Sequence, residues 1–368
     1  MPSPEALLAQ ADAHRGASRF RAALTLYRDA ARYFRAAADR MGLLESLLGQ
    51  GHCLRLLGEF PRACQAYEQA ARLGRSLGEA TATADAAGGL GMALRALGFH
   101  RRALEAFRRA EAIYRRQGDR AGVAYCRWAT AGTLRIRGDL QGALKTFREA
   151  LALYERIGDR AGVGYCRCGL GGVTRLMGRF RTSFAHYSEA RRILARKRDT
   201  FGQAYAYCGI ANAHRMQSEF AKARAYFAKA RTLYARLRDR PSYAYTLWGQ
   251  GTLHKVLGQP RLALRHFRRA EAIFRATRDR RGLVYTRLAR AELALMAGMR
   301  RQARRLAEQA TREALRGGFR FEELHAALLL QELDRVDGRP ARFADVKRRY
   351  RRLGSTFLRT PACPFNLP

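Results

Sequence analysis

One stretch of eleven residues occurs twice, 40 positions apart, and this repetition constrains the fold more than any other feature of the sequence. GDRAGVAYCRW, from Gly118 to Trp128, returns as GDRAGVGYCRC, from Gly158 to Cys168. Turn positions follow the same period: Ser18, Gly58, Gly98, Gly138, Gly178, Ser218, Gly258, Gly298 and Gly338. A fixed period of this length indicates supersecondary units stacked in one array, rather than two or three separate globular domains.

Each unit has the pattern of two helices joined by a short turn. After each turn come a small residue, an aromatic ring four positions later and an alanine three positions beyond it, which places all three on one helical face. The rings are Tyr27, Tyr67, Phe107, Phe147, Tyr187, Phe227 and Phe267. The helix before each turn carries Gly51, Gly91, Ala131, Gly171, Ala211, Gly251 and Ala291. Because glycine within a helix costs about 1 kcal/mol relative to alanine, its recurrence predicts close helix-to-helix contact.

This order of small residue, turn glycine, alanine, aromatic and alanine resembles the tetratricopeptide repeat. The 40-residue period is similar to the variant in spindle-orientation scaffolds and kinesin light chains. Aspartates after each second helix are placed to cap the next helix: Asp39, Asp119, Asp159, Asp199, Asp239 and Asp279. The resemblance implies an all-α fold, an α-solenoid in which antiparallel helix pairs stack into a right-handed superhelix with their first helices on the concave side.

The pattern divides the chain into three segments. Residues 1–317 are predicted to form eight 40-residue helix pairs of the tetratricopeptide type. Residues 318–353 are predicted to form a degenerate ninth pair that caps the stack. Residues 354–368 are predicted to be an extended proline-rich tail, because prolines in its last residues prevent a helix. We expect this tail to fray, as most chain ends do, or to dock in a groove of its own or a neighbouring chain with Phe365 and Leu367 as anchors.

The charge is unusually basic, with 70 lysines and arginines against 31 acidic residues and a formal net charge of +39. Such a charge attracts nucleic acid, anionic membranes or acidic proteins. The sequence has neither a long apolar run nor the form of a secretory signal at its N-terminus. Its seven cysteines lack metal-ligand spacing and suit a reducing compartment. We therefore expect a cytoplasmic protein with no membrane span and no metal site.

Six residues of the first helix share one stripe, because a helix turns by about 100° per residue. The resemblance to the tetratricopeptide repeat implies that this stripe lines the groove. The stripe contains Tyr125, Trp128, Ala129, Gly132, Arg135 and Ile136. Repeated along the chain, this stripe gives a tyrosine row (Tyr125, Tyr165, Tyr205, Tyr245, Tyr285), a basic row (Arg55, Arg135, Arg175, Arg215, Lys255) and a third row that holds Trp128, Cys168, Cys208 and Trp248. Gly132 and Gly172 keep the floor open, and Asn212 is also placed in the groove.

Each row also has a plainer interpretation. The tyrosines can pack between repeats, and the basic row can be a solvated face of an arginine-rich protein. Arg127, Arg167 and Arg287 also recur in register; they are expected to extend towards solvent or to pair with the loop aspartates. His214 and His254 share a column opposite the groove with no carboxylate partner, and a structural role is expected for both.

The sequence contains no enzymatic signature. Two glycine-rich stretches, Gly88–Gly91 and Gly169–Gly172, lie within helices and lack the phosphate-loop spacing. The leading hypothesis is a non-catalytic protein-interaction scaffold without cofactors, which binds an acidic or extended segment of a partner protein in a basic, Tyr- and Arg-lined concave groove. Two alternatives remain open: binding of single-stranded RNA or DNA through the same groove, and a regulatory receptor for a small peptide or metabolite.

Overall fold

The repeat pattern gives alternating helices joined by short turns. The computed structural model describes residues 3–358 and 363–368, and these form eighteen α-helices. The first seven are α1 (Pro4–Gly16), α2 (Phe20–Ala36), α3 (Arg40–Leu56), α4 (Phe60–Leu77), α5 (Ala80–Ala96), α6 (His100–Arg116) and α7 (Arg120–Ile136). The next six are α8 (Leu140–Arg156), α9 (Arg160–Leu176), α10 (Phe180–Arg196), α11 (Thr200–Met216), α12 (Phe220–Arg236) and α13 (Arg240–Val256). The last five are α14 (Pro260–Ala276), α15 (Arg280–Met296), α16 (Arg300–Gly317), α17 (Arg320–Val336) and α18 (Phe343–Arg352).

Odd-numbered helices are the first helices of their pairs, and even-numbered helices are the second. The predicted fold class, an all-α solenoid of stacked antiparallel helix pairs, is confirmed. Met1 and Pro2 of the predicted array and residues 359–362 of the predicted tail lie outside the described residues. Across the described part of the chain, no helix is both long and apolar enough to cross a membrane.

The helices belong to two compact units. Unit 1 comprises Met1–Ala129 and Leu237–Asp239, and unit 2 comprises Thr130–Arg236 and Arg240–Pro368. Helix α7 therefore begins in unit 1 and ends in unit 2. The repeat register runs through this division without interruption, which is why the sequence pattern does not predict it.

Helix starts and stops follow from residues that the repeat places at the turns. The Asp159 carboxylate accepts a hydrogen bond from the Gly162 N–H at 3.0 Å, and Asp199 caps α11 in the same way. Asp39, Asp119 and Asp279 also cap their helices, as the sequence predicts. The turns need a left-handed residue, which Gly58 supplies at φ 79° and Ser218 at φ 62°.

The recurring glycines have the predicted packing role. The Tyr187 ring lies between α9 and α11, and a Cβ atom added at Gly171 or Gly209 would come within 2.7 or 2.1 Å of it. Tyr67 is held in the same way between α3 and α5, by Gly51 and Gly89. Each ring thus fills the space between the first helix of its own pair and the first helix of the next pair.

Neighbouring first helices also touch one another within each unit. In unit 1, α3 contacts both α1 and α5; in unit 2, α9, α11, α13, α15 and α17 contact one another in sequence. The second helices pack on the outside of this inner layer. The stripe that carries the predicted groove rows lies on the helices of the inner layer.

Unit 2 closes on itself at its C-terminal end. A Cβ atom on Gly138, which follows α7, would lie 3.1 Å from the Cβ atom of Arg320 in α17. Beyond α18, the Ser355 hydroxyl donates to the Leu176 carbonyl at 2.5 Å, and the Thr356 N–H donates to the Met177 carbonyl at 3.2 Å. Residues 353–358 thus run beside the ends of α7 and α9, which gives unit 2 an enclosed interior.

Candidate functional site

The interior of unit 2 contains two fully buried cations from the basic row. Arg215 of α11 is 0% exposed and Lys255 of α13 is 3% exposed. Lys255 Nζ lies 2.6 Å from Oε2 of Glu292 on α15, and Arg215 Nη2 donates to Oδ1 of Asn212 at 3.2 Å. Burial, reinforced by the positive charge of Arg175, lowers the pKa of Arg215 to about 9. At neutral pH the interior therefore holds a charged guanidinium that has no carboxylate ion-pair partner in the described part of the chain.

Residues 363–368, which we call the terminal segment, lie against these cations. Arg215 Nη1 donates to Oδ1 of Asn366, and Arg215 Nη2 donates to the Leu367 carbonyl at 2.9 Å. Asn366 Nδ2 donates in return to the Arg215 carbonyl at 3.0 Å. The terminal segment thus gives the Arg215 guanidinium amide and carbonyl oxygens as hydrogen-bond acceptors, in place of a carboxylate.

The second buried cation and its carboxylate hold the main chain of one residue. Lys255 Nζ donates to the Phe365 carbonyl at 3.0 Å, and the Phe365 N–H donates to Glu292 Oε2 at 3.0 Å. The N–H and the carbonyl of Phe365 each form a hydrogen bond with a charged side chain. Charge-assisted bonds of this kind are roughly twice as strong as neutral ones.

Phe365 and Leu367 occupy an apolar pocket between α13, α15 and α17, which we call the inner pocket. Its lining consists of Trp248, Thr252, Lys255, Tyr285, Leu288, Ala289, Glu292, His325 and Leu329. With the terminal segment in place, only about 30 Å³ of cavity remains, which is room for about one or two waters. Phe365 is 3% exposed, as buried as a residue of the helical core.

His325 in the wall of this pocket is held neutral. Burial lowers its pKa to about 4; the positive charges of Lys255, Arg281 and Arg175 act in the same direction, whereas Glu322 opposes them. Glu322 is itself buried and lies 2.7 Å from Arg281 Nη2. The pocket therefore combines apolar walls with charges that are paired to one another.

Arg135 and Arg175 belong to the same basic row but are only half-buried. Burial raises the pKa of Tyr187, and the neighbouring Arg175 and Arg135 counteract it, which places both cations near one ring. A Cβ atom on Gly172 would lie 3.5 Å from Cδ of Arg135, which is an ordinary van der Waals distance, so the arginine side chain packs beside this predicted floor residue. Neither guanidinium forms an ion pair with a carboxylate among the residues that the structure describes.

The tyrosine row is used largely for packing between repeats. The Tyr165 hydroxyl donates to Oδ2 of Asp199 at 2.7 Å, and Tyr245 is hydrogen-bonded to Asp279. Both aspartates cap the first helix of the next pair. Tyr205 packs in the cluster around Tyr187. These hydroxyls therefore connect successive repeats.

Tyr285 differs from these tyrosines, because it lines the inner pocket. Its hydroxyl accepts a hydrogen bond from Arg281 Nη2 at 2.8 Å, and its ring lies 4.5 Å from that of Trp248. Cys168 and Cys208, which share the tryptophan row, are buried and half-buried free thiols. Trp248 and Tyr285 are thus the members of the two aromatic rows that reach the terminal segment.

Trp128 and Tyr125 lie in unit 1, with ring centroids 6.1 Å apart. The Arg95 guanidinium stands 5.9 Å from the Trp128 centroid, and its Nη1 donates to the Ala129 carbonyl at 3.4 Å. Arg95 occupies the register of the basic row, so that its position alone could have identified it.

Three arginines have partners other than those the sequence suggests. We expected Arg127, Arg167 and Arg287 to reach solvent or the loop aspartates, but their partners are glutamates of second helices. Arg127 lies 3.3 Å from Glu111, Arg167 lies 3.2 Å from Glu189, and Arg287 pairs with Glu313. The second helices are within reach because each first helix packs against two of them.

His214 also has a carboxylate partner that the sequence pattern did not indicate. Its Nδ1 contacts Glu219, and its buried ring lies between those of Phe184 and Tyr226. His254 stacks on His266 with centroids 5.3 Å apart. The expectation of no carboxylate is therefore wrong for His214, and ring packing surrounds both histidines.

Sequence reasoning missed two residues of the inner pocket that the period could have found. Glu292 lies 80 positions after Asn212 and His325 lies 40 positions after Tyr285, so each continues a predicted row. Both differ in residue type from the earlier members of their rows, which is why the pattern overlooked them. Among the described residues, no group of three or more His, Cys, Asp and Glu side chains could hold a metal ion.

Comparison with known families identifies the repeat. A family model described as tetratricopeptide repeat matches residues 42–116, 119–196 and 202–276, more than half of the chain. Comparison with curated protein sequences found no match.

Several solved structures share the fold at low sequence identity. A Rap protein complexed with competence and sporulation factor is 13% identical over 95% of this chain and 99% of its own, with a TM-score of 0.60. The Rap conjugation gene regulator of the plasmid pLS20, in complex with the Phr* peptide, is 17% identical over 76% and 78%, with a TM-score of 0.63. The apo form of RapI is 13% identical over 80% and 99%, with a TM-score of 0.53. At these identities the likeness concerns the fold alone.

Proposed function

Because the chain belongs to the tetratricopeptide repeat family, we propose that it is a non-catalytic interaction scaffold whose unit 2 binds an extended, acidic segment of a partner protein. The observation that carries this proposal is the pair of half-buried guanidinium groups of Arg135 and Arg175, which no carboxylate of the described chain neutralises. Their bidentate geometry suits carboxylates, and their partial burial strengthens such bonds. The net charge of +39 favours the approach of an acidic partner.

The ligands bound in two solved structures of similar fold support the proposal. The structure of the Rap protein is a complex with competence and sporulation factor, and that of the pLS20 regulator is a complex with the Phr* peptide. In the present chain, Arg215 and Lys255 in the interior of unit 2 bind main-chain carbonyls of the terminal segment, which supports the proposal that a polypeptide binds there. We also place the protein in the cytoplasm, since its seven free cysteines suit a reducing compartment.

The test measures binding of fluorescent octapeptides that differ only in their number of aspartates. We expect affinity to rise with acidic content and to fall with salt. Replacing Arg135 and Arg175 together by Ala should lower the affinity for the most acidic peptide at least ten-fold, because each charge-assisted contact contributes roughly 1–3 kcal/mol. Arg167 and Arg287, which already have glutamate partners, provide the matched double-alanine control with unchanged affinity.

Two results would reject this assignment. Equal binding by the Arg135/Arg175 variant and the parent chain would show that the groove does not contribute to the interaction. A single-stranded oligonucleotide bound at nanomolar affinity in roughly 300 mM salt, with acidic peptides failing to bind, would favour nucleic acid instead.

A further inference from the structure

We propose that the inner pocket is a binding site for a short extended peptide of aromatic–asparagine–aliphatic sequence supplied by a partner, and that the chain's own terminal segment occupies it as a tethered competitor. This inference rests on the proposed function, since it assigns the apolar end of the same interior. It specifies what a partner segment must present beyond acidic groups.

Charged, buried side chains in the interior of unit 2 are directed at a peptide main chain. Lys255, at 3% exposure, and Glu292, at 6%, bind the carbonyl and the N–H of Phe365. Arg215 binds the carbonyl of Leu367. Main-chain groups are the same in any peptide, so this recognition does not depend on which chain supplies the segment.

The site is also selective at the middle residue, Asn366. Oδ1 of Asn366 accepts from the Arg215 guanidinium while Nδ2 donates to the Arg215 carbonyl. Only a primary amide offers both groups at this position. Aspartate would place a carboxylate oxygen against the carbonyl, so the site discriminates against an otherwise similar acidic residue.

The side chains of the terminal segment alternate between two sides of the site. In an extended segment successive residues point to opposite sides, and here Phe365 and Leu367 enter the inner pocket while Asn366 meets Arg215. The walls from Trp248, Tyr285 and Leu329 suit a ring followed two residues later by a branched aliphatic side chain. The pocket therefore specifies both a spacing and a composition.

The terminal segment belongs to the same chain as the inner pocket, so its binding there is intramolecular. Intramolecular binding of this kind corresponds to an effective concentration on the order of 1 mM. A free peptide with an intrinsic dissociation constant of about 10 µM would then bind the intact chain roughly 100-fold more weakly than a chain without the terminal segment. A partner would overcome this competition by adding contacts elsewhere, for which Arg135 and Arg175 are available.

The experiment uses a fluorescein-labelled peptide, Pro-Phe-Asn-Leu-Pro, and its scrambled form. We expect the chain lacking residues 363–368 to bind the first and not the second, and the intact chain to bind at least ten-fold more weakly. A peptide with Asp in place of Asn should bind at least ten-fold more weakly to the shortened chain. Replacing Arg215 by Met in the shortened chain removes the guanidinium and keeps the main-chain carbonyl, so it should weaken binding of the Asn peptide at least ten-fold and leave the preference for Asn over Asp in place.

A second variant guards against misfolding of the shortened chain. Phe365→Ala with Leu367→Ala in the intact chain removes the anchors and keeps every main-chain group. This variant should bind the labelled peptide more tightly than the parent. Trp248 lines the pocket, so the tryptophan emission of both altered chains should shift to longer wavelength and return when peptide is added.

Three outcomes would overturn the inference. They are no peptide binding by either altered chain when its circular dichroism matches the parent, equal binding by altered and intact chains, and a concentration-dependent dimer that disappears on removal of residues 363–368. The last would mean exchange of the segment between copies. The acidic octapeptides keep the two proposals distinguishable: if they bind through Arg135 and Arg175 while Pro-Phe-Asn-Leu-Pro does not bind, only this inference fails.

Discussion

Two rows of basic residues repeat with the same 40-residue period but differ in burial and in their partners. Arg127, Arg167 and Arg287 each face a glutamate on a second helix, and all three remain partly exposed. Arg215 and Lys255 lie in the interior of unit 2, fully buried, and bind the terminal segment. We call them the paired row and the interior row.

The difference between the rows comes from their angular position on the first helix. Residues 167 and 175 are eight apart, which corresponds to a rotation of about 80° at 100° per residue. That rotation takes a side chain from the flank, where second helices approach, to the inner layer, where only first helices approach. Both rows consist of cationic side chains, so the register decides whether a cation lies beside a second helix or in the interior of unit 2.

The largest expected effect comes from breaking the one ion pair of the interior row. Glu292→Ala leaves Lys255 buried with only the Phe365 carbonyl as partner, and should lower the free energy of unfolding by roughly 3–5 kcal/mol in urea titrations. The corresponding change in the paired row, Glu313→Ala beside Arg287, should cost less than about 1 kcal/mol. Equal losses would show that the two rows are energetically alike.

The next effect is the pH dependence that burial in the wall of the inner pocket gives His325. Its pKa falls from 6.5 to about 4 on folding, so between these values the unfolded chain binds a proton that the folded chain does not. Stability contributed by neutral His325 is complete above pH 6.5 and is lost as the pH falls towards 4. At pH 5 the loss is about 2 kcal/mol, at about 1.4 kcal/mol per pH unit.

His325→Gln is the variant that isolates this contribution. It keeps a polar side chain of similar size and cannot be protonated, so its unfolding free energy should fall by about 2 kcal/mol less than that of the parent between pH 8 and pH 5. Thermal unfolding followed across that range provides the measurement. Parallel curves for the two proteins would mean that His325 has the same pKa in the folded and the unfolded chain.

These results show which parts of the site the sequence could predict. The period places Arg215, Lys255, Trp248 and Tyr285 in the interior because helix angle is a local property of the sequence. It does not identify what binds them, because the terminal segment lies outside the repeat and its contacts span more than 100 positions. The same limit applies to the division into two units, which occurs inside one regular helix.

Two residues of the inner pocket lie at positions that the repeat predicts but are of a type that it does not predict. Glu292 and His325 continue the predicted rows, but the change from asparagine to glutamate and from tyrosine to histidine hid them. The tyrosines show the reverse case. Their rings follow the groove stripe, yet the hydroxyls of Tyr165 and Tyr245 bind helix-capping aspartates, which are contacts between repeats rather than with a ligand.

A smaller effect separates the tyrosine row from the interior row beside it. Tyr165→Phe removes the hydrogen bond to Asp199 and should lower the free energy of unfolding by about 1.5 kcal/mol, because the acceptor is charged. Tyr243→Phe is the matched control, since Tyr243 presents its ring face to Arg269 at 5.3 Å, and should change stability by less than about 0.5 kcal/mol. If Tyr165→Phe weakened binding of acidic peptides without a change in stability, the row would belong to the ligand site.

The smallest effect is expected in the paired row itself. Arg167→Met keeps the aliphatic stem against the helix and removes the charge, which faces Glu189 at 3.2 Å and Glu155 at 3.7 Å across a partly exposed surface. The unfolding free energy should fall by about 0.5 kcal/mol in low salt and by less in 0.5 M salt, because ions screen exposed pairs. Peptide binding should not change. A loss above about 2 kcal/mol that persists in high salt would mean that Arg167 contributes as much to the free energy of unfolding as Lys255 does. Angular position would then not explain the difference between the rows.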